Sequence, residues 1–500
     1  MKKDILLFMS DQHSYRLQGC AGNSIVRTPT LDWLARHGAA MTNTMTACPL
    51  CVPARAAMVS GQLPSNNKVL FNFSALDSNQ ATFLHSLNAS GYETVLCGRM
   101  HFVGPDQRHG YAKRIAGDRT PVFHNAVPKE QQEKEGGRGV RGYDENSSLY
   151  YMGSGDSPVL AYDRNVTERA VDFLKQEHEK PLFLTVGVYG PHFPYVAPKE
   201  LYDYYYDRVP VDDITLQKKE HPVLAGKMAE TDPEVVRAAR AAYYGLVEET
   251  DRNIAQVYEA FQAYLKRTGH EGIFIYTSDH GDMNGNKGYY GKQVFYDDSV
   301  HIPFLIQGDG IPQGIRIDSP TSLLDLAPTV CELAGAQVLK GDGKSLASQL
   351  ISGKQDEERM VVGELYTYLA QGGSSLGRMV RWKQWKYITY SGFEEADQLF
   401  DLENDPQETE NVIEKYPEIA EKLLAKTREY KDYDTVMEYE SWLMDQLRIL
   451  MKCSYDDTQE RWVCPELDLP EELVTRKQPF APTPWVKELF RQLSRSDGEK

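Results

Sequence analysis

Short apolar runs that stop abruptly at polar residues dominate the first two-thirds of this chain. Residues 4–10 (DILLFMS) end in Asp11-Gln12-His13. Residues 92–97 (YETVLC) end in Gly98-Arg99-Met100-His101, 181–189 (PLFLTVGVY) in Gly190-Pro191-His192, and 273–277 in Ser278-Asp279-His280. A run without polar alternation is the pattern of a strand covered on both faces, as in a parallel sheet. A further run covers 302–307, and helical patterns lie between the runs at 30–38, 81–91, 163–179, 232–266 and 323–335. Thr28 or Thr30 is the expected cap of the first of these helices and Gly38 its stop. The alternation predicts an α/β fold with a large, mainly parallel sheet sandwiched by helices. Ligands in such folds bind outside the carboxyl ends of the strands. Asp11, Arg99, His101, His192, Asp279 and His280 all fall within a few residues of such an end, so the pattern predicts one shared site.

The stretch 48–61, CPLCVPARAAMVSG, concentrates the chemistry. Pro53 fixes one backbone angle, and the small residues after it start a helix. Cys51 then lies near a helix N-terminus, where backbone N–H groups favour negative charge. Arg55, one turn on, can point back at it. The alternative reading is a buried structural cysteine ahead of a core helix.

Cys51-Val52-Pro53-Ala54-Arg55, followed by Ser60-Gly61, resembles the type I sulfatases of the alkaline-phosphatase superfamily. The resemblance runs from residue 5 to about 411. Residues 98–111 (GRMHFVGPDQRHGY) and 277–285 (TSDHGDMNG) are similar to the choline-sulfatase and phosphonate-monoester-hydrolase branch. It implies an alkaline-phosphatase-like fold, and it implies that Cys51 becomes formylglycine, whose hydrate is the nucleophile. It further implies a divalent metal held by Asp11, Gln12, Asp279, His280 and residue 51. Calcium is the family default, with manganese or magnesium as alternatives for a mostly oxygen-lined site. Gln12 stands where many sulfatases have a second Asp. Arg99 stands where the family usually has Lys, which keeps the charge but replaces a point donor by a planar fork. By the same resemblance Arg55 orients the hydrate, His101 flanks it, His192 and Lys292 face the sulfate and the leaving oxygen, and Asn72 binds substrate. A sulfatase-maturing, formylglycine-generating enzyme is an implied partner.

After Gly353 the texture changes. Residues 378–390 and 398–402 read as antiparallel strands and 416–433 as an amphipathic helix. The expected division is a catalytic domain at 1–375, a small C-terminal α+β domain at 376–433, and a tail at 434–500. The tail has no clear periodicity and is expected to mediate a homo-oligomer. Residues 128–156 read as a charged, Gly-rich surface loop, a candidate lid.

The charge balance is 55 basic against 72 acidic residues, net −17, which argues against nucleic acid or anionic membranes as partners. Any anionic substrate then needs a local positive site. Seven scattered cysteines suit a reducing compartment. The first apolar run is too short for a leader core, no stretch reaches membrane-span length, and a cytoplasmic protein is expected.

The segment after His109 lacks the tryptophan-containing stretch of choline sulfatases and instead carries Arg138 and Arg141. Two arginines near a sulfate pocket suit a second anionic group, which favours a carbohydrate sulfate ester over choline sulfate. The readings left open are a phosphonate or phosphodiester hydrolase, a choline sulfatase, and a binding protein that keeps Cys51 as a thiol.

Overall fold

Alternate side chains of the first strand, Asp4–Asp11, enter two different cores. Ile5, Leu7 and Met9 pack with Phe83, Leu87, Leu326 and Val330 on one face. Leu6 and Phe8 pack with Val166, Phe173, Val257 and Phe261 on the other. This is the period-two geometry of a strand buried on both sides. The computed structural model describes residues 2–118, 149, 152–212, 221–224, 232–369 and 373–450.

Among the described residues the main sheet has eight strands. Their spatial order is Ile315–Ile317, Ala39–Met41, Phe304–Gly308, Gly272–Ser278, Asp4–Asp11, Leu182–Pro191, Glu93–Gly98 and Lys113–Ala116. The five strands from Gly272–Ser278 to Lys113–Ala116 are mutually parallel. Phe304–Gly308 runs antiparallel to both of its neighbours. Helices cover both faces. Pro29–His37 starts after Thr28, with proline in its first turn, and stops at Gly38. Pro158–Leu174 and the 36-residue Pro233–Thr268 pack side by side, the latter ending on Gly269 in the left-handed region. Among the described residues, no helix is long and apolar enough to cross a membrane.

The C-terminal sheet is antiparallel, in the order Met360–Tyr368, Ser374–Trp382, Trp385–Tyr390 and Gln398–Asp401. The expected boundary at 375/376 therefore falls inside the second strand of this sheet, which begins at Met360. Strand pairing assigns Met360–Tyr368 to it, and pairing has no local signature. Helix Pro417–Thr427 lays Ala420 and Leu423 against Trp382, Trp385 and Tyr387. The stretch from 434, read as aperiodic, opens instead as a helix, Tyr433–Leu450. Its buried apolar residues Val436, Leu443 and Leu447 sit at helical spacing with Tyr439 packed against the same core, a stripe masked in the sequence by the exposed Trp442. The remainder of the tail and nearly all of the 128–156 loop lie outside the described residues.

Candidate active site

Register brings the strand ends together. Asp11 pairs across to Pro191, and Ser10 to Ser278, which sets His192 on one side of Asp11 and Asp279-His280 on the other. The next strand, Glu93–Gly98, is closely apposed: Arg99 N–H donates to the Gly187 carbonyl at 2.8 Å. A side chain at Gly187 would collide with the Arg99 backbone, which is why glycine stands there.

Cys51 is the first residue of helix Cys51–Ser60, and every residue of that helix is buried. Its alanines let it sit deep beneath the strand ends, and Gly61 in the left-handed region turns the chain away. The Asn72 side-chain oxygen accepts from Val52 N–H at 3.0 Å, satisfying one of the N–H groups left open at the helix start. Asn72, expected to bind substrate, is thus placed at the backbone of the turn that carries Cys51.

Asp11, Cys51, Asp279 and His280 form one buried group, each offering a ligand atom within 4.8 Å of all the others. His280 Nε2 lies 3.2 Å from Cys51 Sγ, while its Nδ1 faces the Gly281 carbonyl at 3.0 Å. Two arginines hold the carboxylates. Arg55 donates through Nε to Asp279 at 2.8 Å and through a terminal nitrogen to Asp11 at 3.1 Å. Arg99 donates through Nε to the same Asp11 oxygen at 2.6 Å. It also reaches Asp118 at 3.2 Å, and its guanidinium lies 4.3 Å from the Tyr189 ring centre. The planar fork in place of lysine explains how one residue serves two carboxylates.

Electrostatics follow from this packing. Burial alone would push Asp11 up, but Arg99, His192 and Arg55 hold it well below the usual carboxylate range. Burial would likewise raise the Cys51 thiol. Lys292, His280 and hydrogen bonds with His101 and His192 hold it well below its ordinary value instead. His280 is raised against the pull of burial by Asp279 and Cys51. Burial, then the charges of Arg99 and Lys292 respectively, depress His101 and His192.

On the outer side, Lys292 Nζ lies 2.6 Å from His192 Nε2 and 2.6 Å from Gln12 Oε1. His192 Nδ1 donates to the Phe193 carbonyl, leaving Nε2 to accept from the ammonium. Gln12 gives its backbone N–H to Asp279 at 3.0 Å, and its carboxamide lies between Lys292 and Asp282. Gln12, His101 and Gln293 all adopt positive φ, a conformation rare outside glycine that collects at functional sites.

Asp11, Cys51, Arg55, Arg99, His101, His192, Asp279, His280 and Lys292 thus converge. Gln12 touches this group through its backbone and Lys292, and Asn72 through the helix start. Arg138 and Arg141 lie outside the described residues. Sequence reading missed Asp118, which accepts from the His101 N–H at 2.7 Å and from Arg99, because no motif marks an aspartate 17 residues downstream. It also missed Asp163, whose carboxylate accepts the Tyr189 and Gly190 N–H groups and shapes the turn into His192.

Comparison with known proteins agrees with this geometry. A family model described as Sulfatase matches residues 3–336, and one described as N-sulphoglucosamine sulphohydrolase, C-terminal, matches 285–432. The choline-sulfatase of Rhizobium meliloti (strain 1021) is 32% identical over 439 residues, covering 83% of each chain. Arylsulfatase K of Bos taurus is 29% identical over 481 residues, covering 87% of this chain and 82% of that one. In fold, the chain is similar to the phosphonate monoester hydrolase of Agrobacterium radiobacter, with a TM-score of 0.67, 22% identity, and coverage of 90% of this chain and 96% of that one. A family match across most of the main-sheet domain, joined to a relative of this identity and coverage, means that the chain belongs to the sulfatase family of the alkaline-phosphatase superfamily and is a sulfuric ester hydrolase.

Proposed function

We propose that this sulfatase cleaves a carbohydrate sulfate monoester, with residue 51 as formylglycine and a divalent cation held by Asp11, Asp279, His280 and residue 51. Gln12 stands beside this set, with its carboxamide oxygen on Lys292 at 2.6 Å. One observation carries the reading: Cys51 opens a buried helix inside a 4.8 Å cluster of two carboxylates and an imidazole from other strand ends. Such donors fit a hard cation, calcium first, then manganese or magnesium. A bound cation polarises the sulfate group and offsets its charge. Formylglycine supplies a hydrated aldehyde, a nucleophile with a second hydroxyl through which the enzyme ester can be undone; a thiol has none.

The other residues have separable tasks. Arg55 and Arg99 keep Asp11 ionised, and Arg55 also fixes Asp279 in place. His101, held by Arg99 at 2.8 Å, orients residue 51. Lys292 gives a proton to the leaving oxygen as the S–O bond breaks, and His192 steadies that ammonium. Arg138 and Arg141 would meet a second anionic group on the sugar. None of the five described cysteines forms a disulfide, which supports a reducing, cytoplasmic setting. A formylglycine-generating enzyme and a second copy of the chain are the proposed protein partners.

A second reading, choline sulfate, is favoured by the 32% identity to the Rhizobium meliloti choline-sulfatase. Mass spectrometry of the peptide containing residue 51, from cells able to mature it, is expected to show an aldehyde. An intact thiol in fully active enzyme would overturn the nucleophile. Steady-state kinetics on sulfated saccharides, choline sulfate and matched 4-nitrophenyl sulfate and phosphonate esters test the substrate. A larger kcat/KM on choline sulfate or on the phosphorus ester would replace the carbohydrate.

A further inference from the structure

Asp282 lies one turn beyond the strand-end pair Asp279-His280 and does not belong to the cluster around residue 51. It is 2% exposed, yet it accepts from four donors, one in each of four residues on three chain segments, the Tyr195 hydroxyl being shared between its two oxygens. One oxygen accepts from Tyr195 Oη at 3.0 Å and from the backbone N–H groups of Asn284 and Gly291, each at 2.8 Å. The other accepts from Tyr195 Oη at 2.7 Å and from Gln12 Nε2 at 2.5 Å.

These contacts lead to the leaving-group side by three routes. Gly291 precedes Lys292, so the carboxylate pins the backbone that carries the ammonium. Tyr195 lies three residues after His192, at the start of strand Tyr195–Ala197. Gln12 is a two-ended amide: with its NH2 on a carboxylate, its carbonyl oxygen must face the other way, and there it meets Lys292 Nζ at 2.6 Å. Asp282 thereby sets which end of Gln12 the lysine sees.

We propose that Asp282 is a positioning residue for the leaving-group acid, aiming Lys292 and His192 through Gly291, Gln12 and Tyr195. The inference rests on the role given above to Lys292. An amide at position 282 offers an NH2 where only an acceptor fits. Gln12 then turns its own NH2 toward the Lys292 ammonium, donor against donor. The ammonium is displaced, and the defect grows with the basicity of the leaving oxygen.

The test is kcat/KM for a series of aryl sulfates, from 4-nitrophenyl to phenyl sulfate, with wild type, Asp282→Asn, Lys292→Ala and the double variant. Asp282→Asn is expected to lose little on the nitrophenyl ester and about tenfold or more on the phenyl ester, a fraction of what a general acid contributes. In the Lys292→Ala background the same substitution is expected to add less than about twofold, the non-additivity of residues acting as a unit. Equal losses across the series, or an undiminished loss in the Lys292→Ala background, overturn the proposal and leave Asp282 a stabilising turn residue. A Lys292→Ala variant with no leaving-group dependence overturns the role of Lys292 itself. Asp282→Glu, which keeps the acceptor, is expected to recover part of the phenyl ester rate, and no recovery counts against the aim through Gln12.

Discussion

Arg55 and Asp279 form a fully buried ion pair, Nε to Oδ2 at 2.8 Å, that ties the helix carrying residue 51 to a strand end 224 residues later in the chain. Removing one member of such a pair leaves a buried charge uncompensated, and here Arg55 serves Asp11 as well. Arg55→Met is expected to destabilise the fold by about 3–5 kcal/mol. Arg55→Lys keeps the charge but cannot span both carboxylates, and should fall between. Urea unfolding followed by circular dichroism checks the order. Equal stability of Met and Lys variants would deny the bidentate role.

Divalent cation binding to the folded chain alone must raise its stability by mass action, about 2.7 kcal/mol at a hundredfold excess over Kd. Calcium, manganese or magnesium is expected to raise Tm in the wild type, and chelation to reverse the rise. Asp279→Asn should abolish the shift while the protein remains folded. A cation-induced rise that survives in Asp279→Asn would place the ion elsewhere.

Asp118 orients His101 and Arg99 through hydrogen bonds at 2.7 and 3.2 Å. Asp118→Asn keeps one acceptor and removes the charge facing Arg99. The expected result is a loss in kcat of about tenfold or more, with a smaller change in KM, since positioning acts on the reacting geometry. An unchanged kcat on sulfate esters would assign Asp118 to stability alone.

Lys386, fully buried on the small sheet, pairs with Asp297 at 2.6 Å and with Glu408. Asp297 opens the short helix five residues after Lys292, and Lys287 donates to the Glu408 carbonyl at 2.8 Å. This charged lock fastens the C-terminal sheet to the segment bearing Lys292. Lys386→Met is expected to cost about 3–5 kcal/mol, and adding Glu408→Gln should return part of it by removing one of the two stranded carboxylates. Additive losses in urea unfolding would show the groups to be independent.

Asp251 accepts the Leu31 and Thr30 N–H groups at the start of the Pro29–His37 helix. Burial nevertheless pushes its carboxyl up to about 6, with those hydrogen bonds only partly opposing. The folded state therefore binds the proton more tightly than the unfolded chain. The associated stability is complete below about pH 4 and is lost as pH rises through 6, a span worth about 3 kcal/mol. Asp251→Asn lacks this term, so its stability relative to wild type should improve by about 2 kcal/mol between pH 4.5 and 7. Parallel pH profiles from urea melts would contradict the burial effect.

Two features were legible in the chain as written. Period and punctuation located five of the eight described strands of the main sheet, because a strand buried on both faces has no freedom to alternate; the short strands Ala39–Met41, Lys113–Ala116 and Ile315–Ile317 gave no such signal. The polar residues just past those strands are where a parallel sheet must present its chemistry, and nine of the residues singled out there or in the Cys51 stretch and the Lys292 segment do meet. What local pattern does not encode is pairing and direction. The first strand of the small sheet, the antiparallel Phe304–Gly308 strand and the helix at Tyr433–Leu450 became clear only from their neighbours. The same holds for Asp118, Asp163 and Asp282, single carboxylates in unremarkable turns. Each gains its role from donors that lie between two and 270 positions away in sequence, and only the folded backbone brings those donors within hydrogen-bond reach.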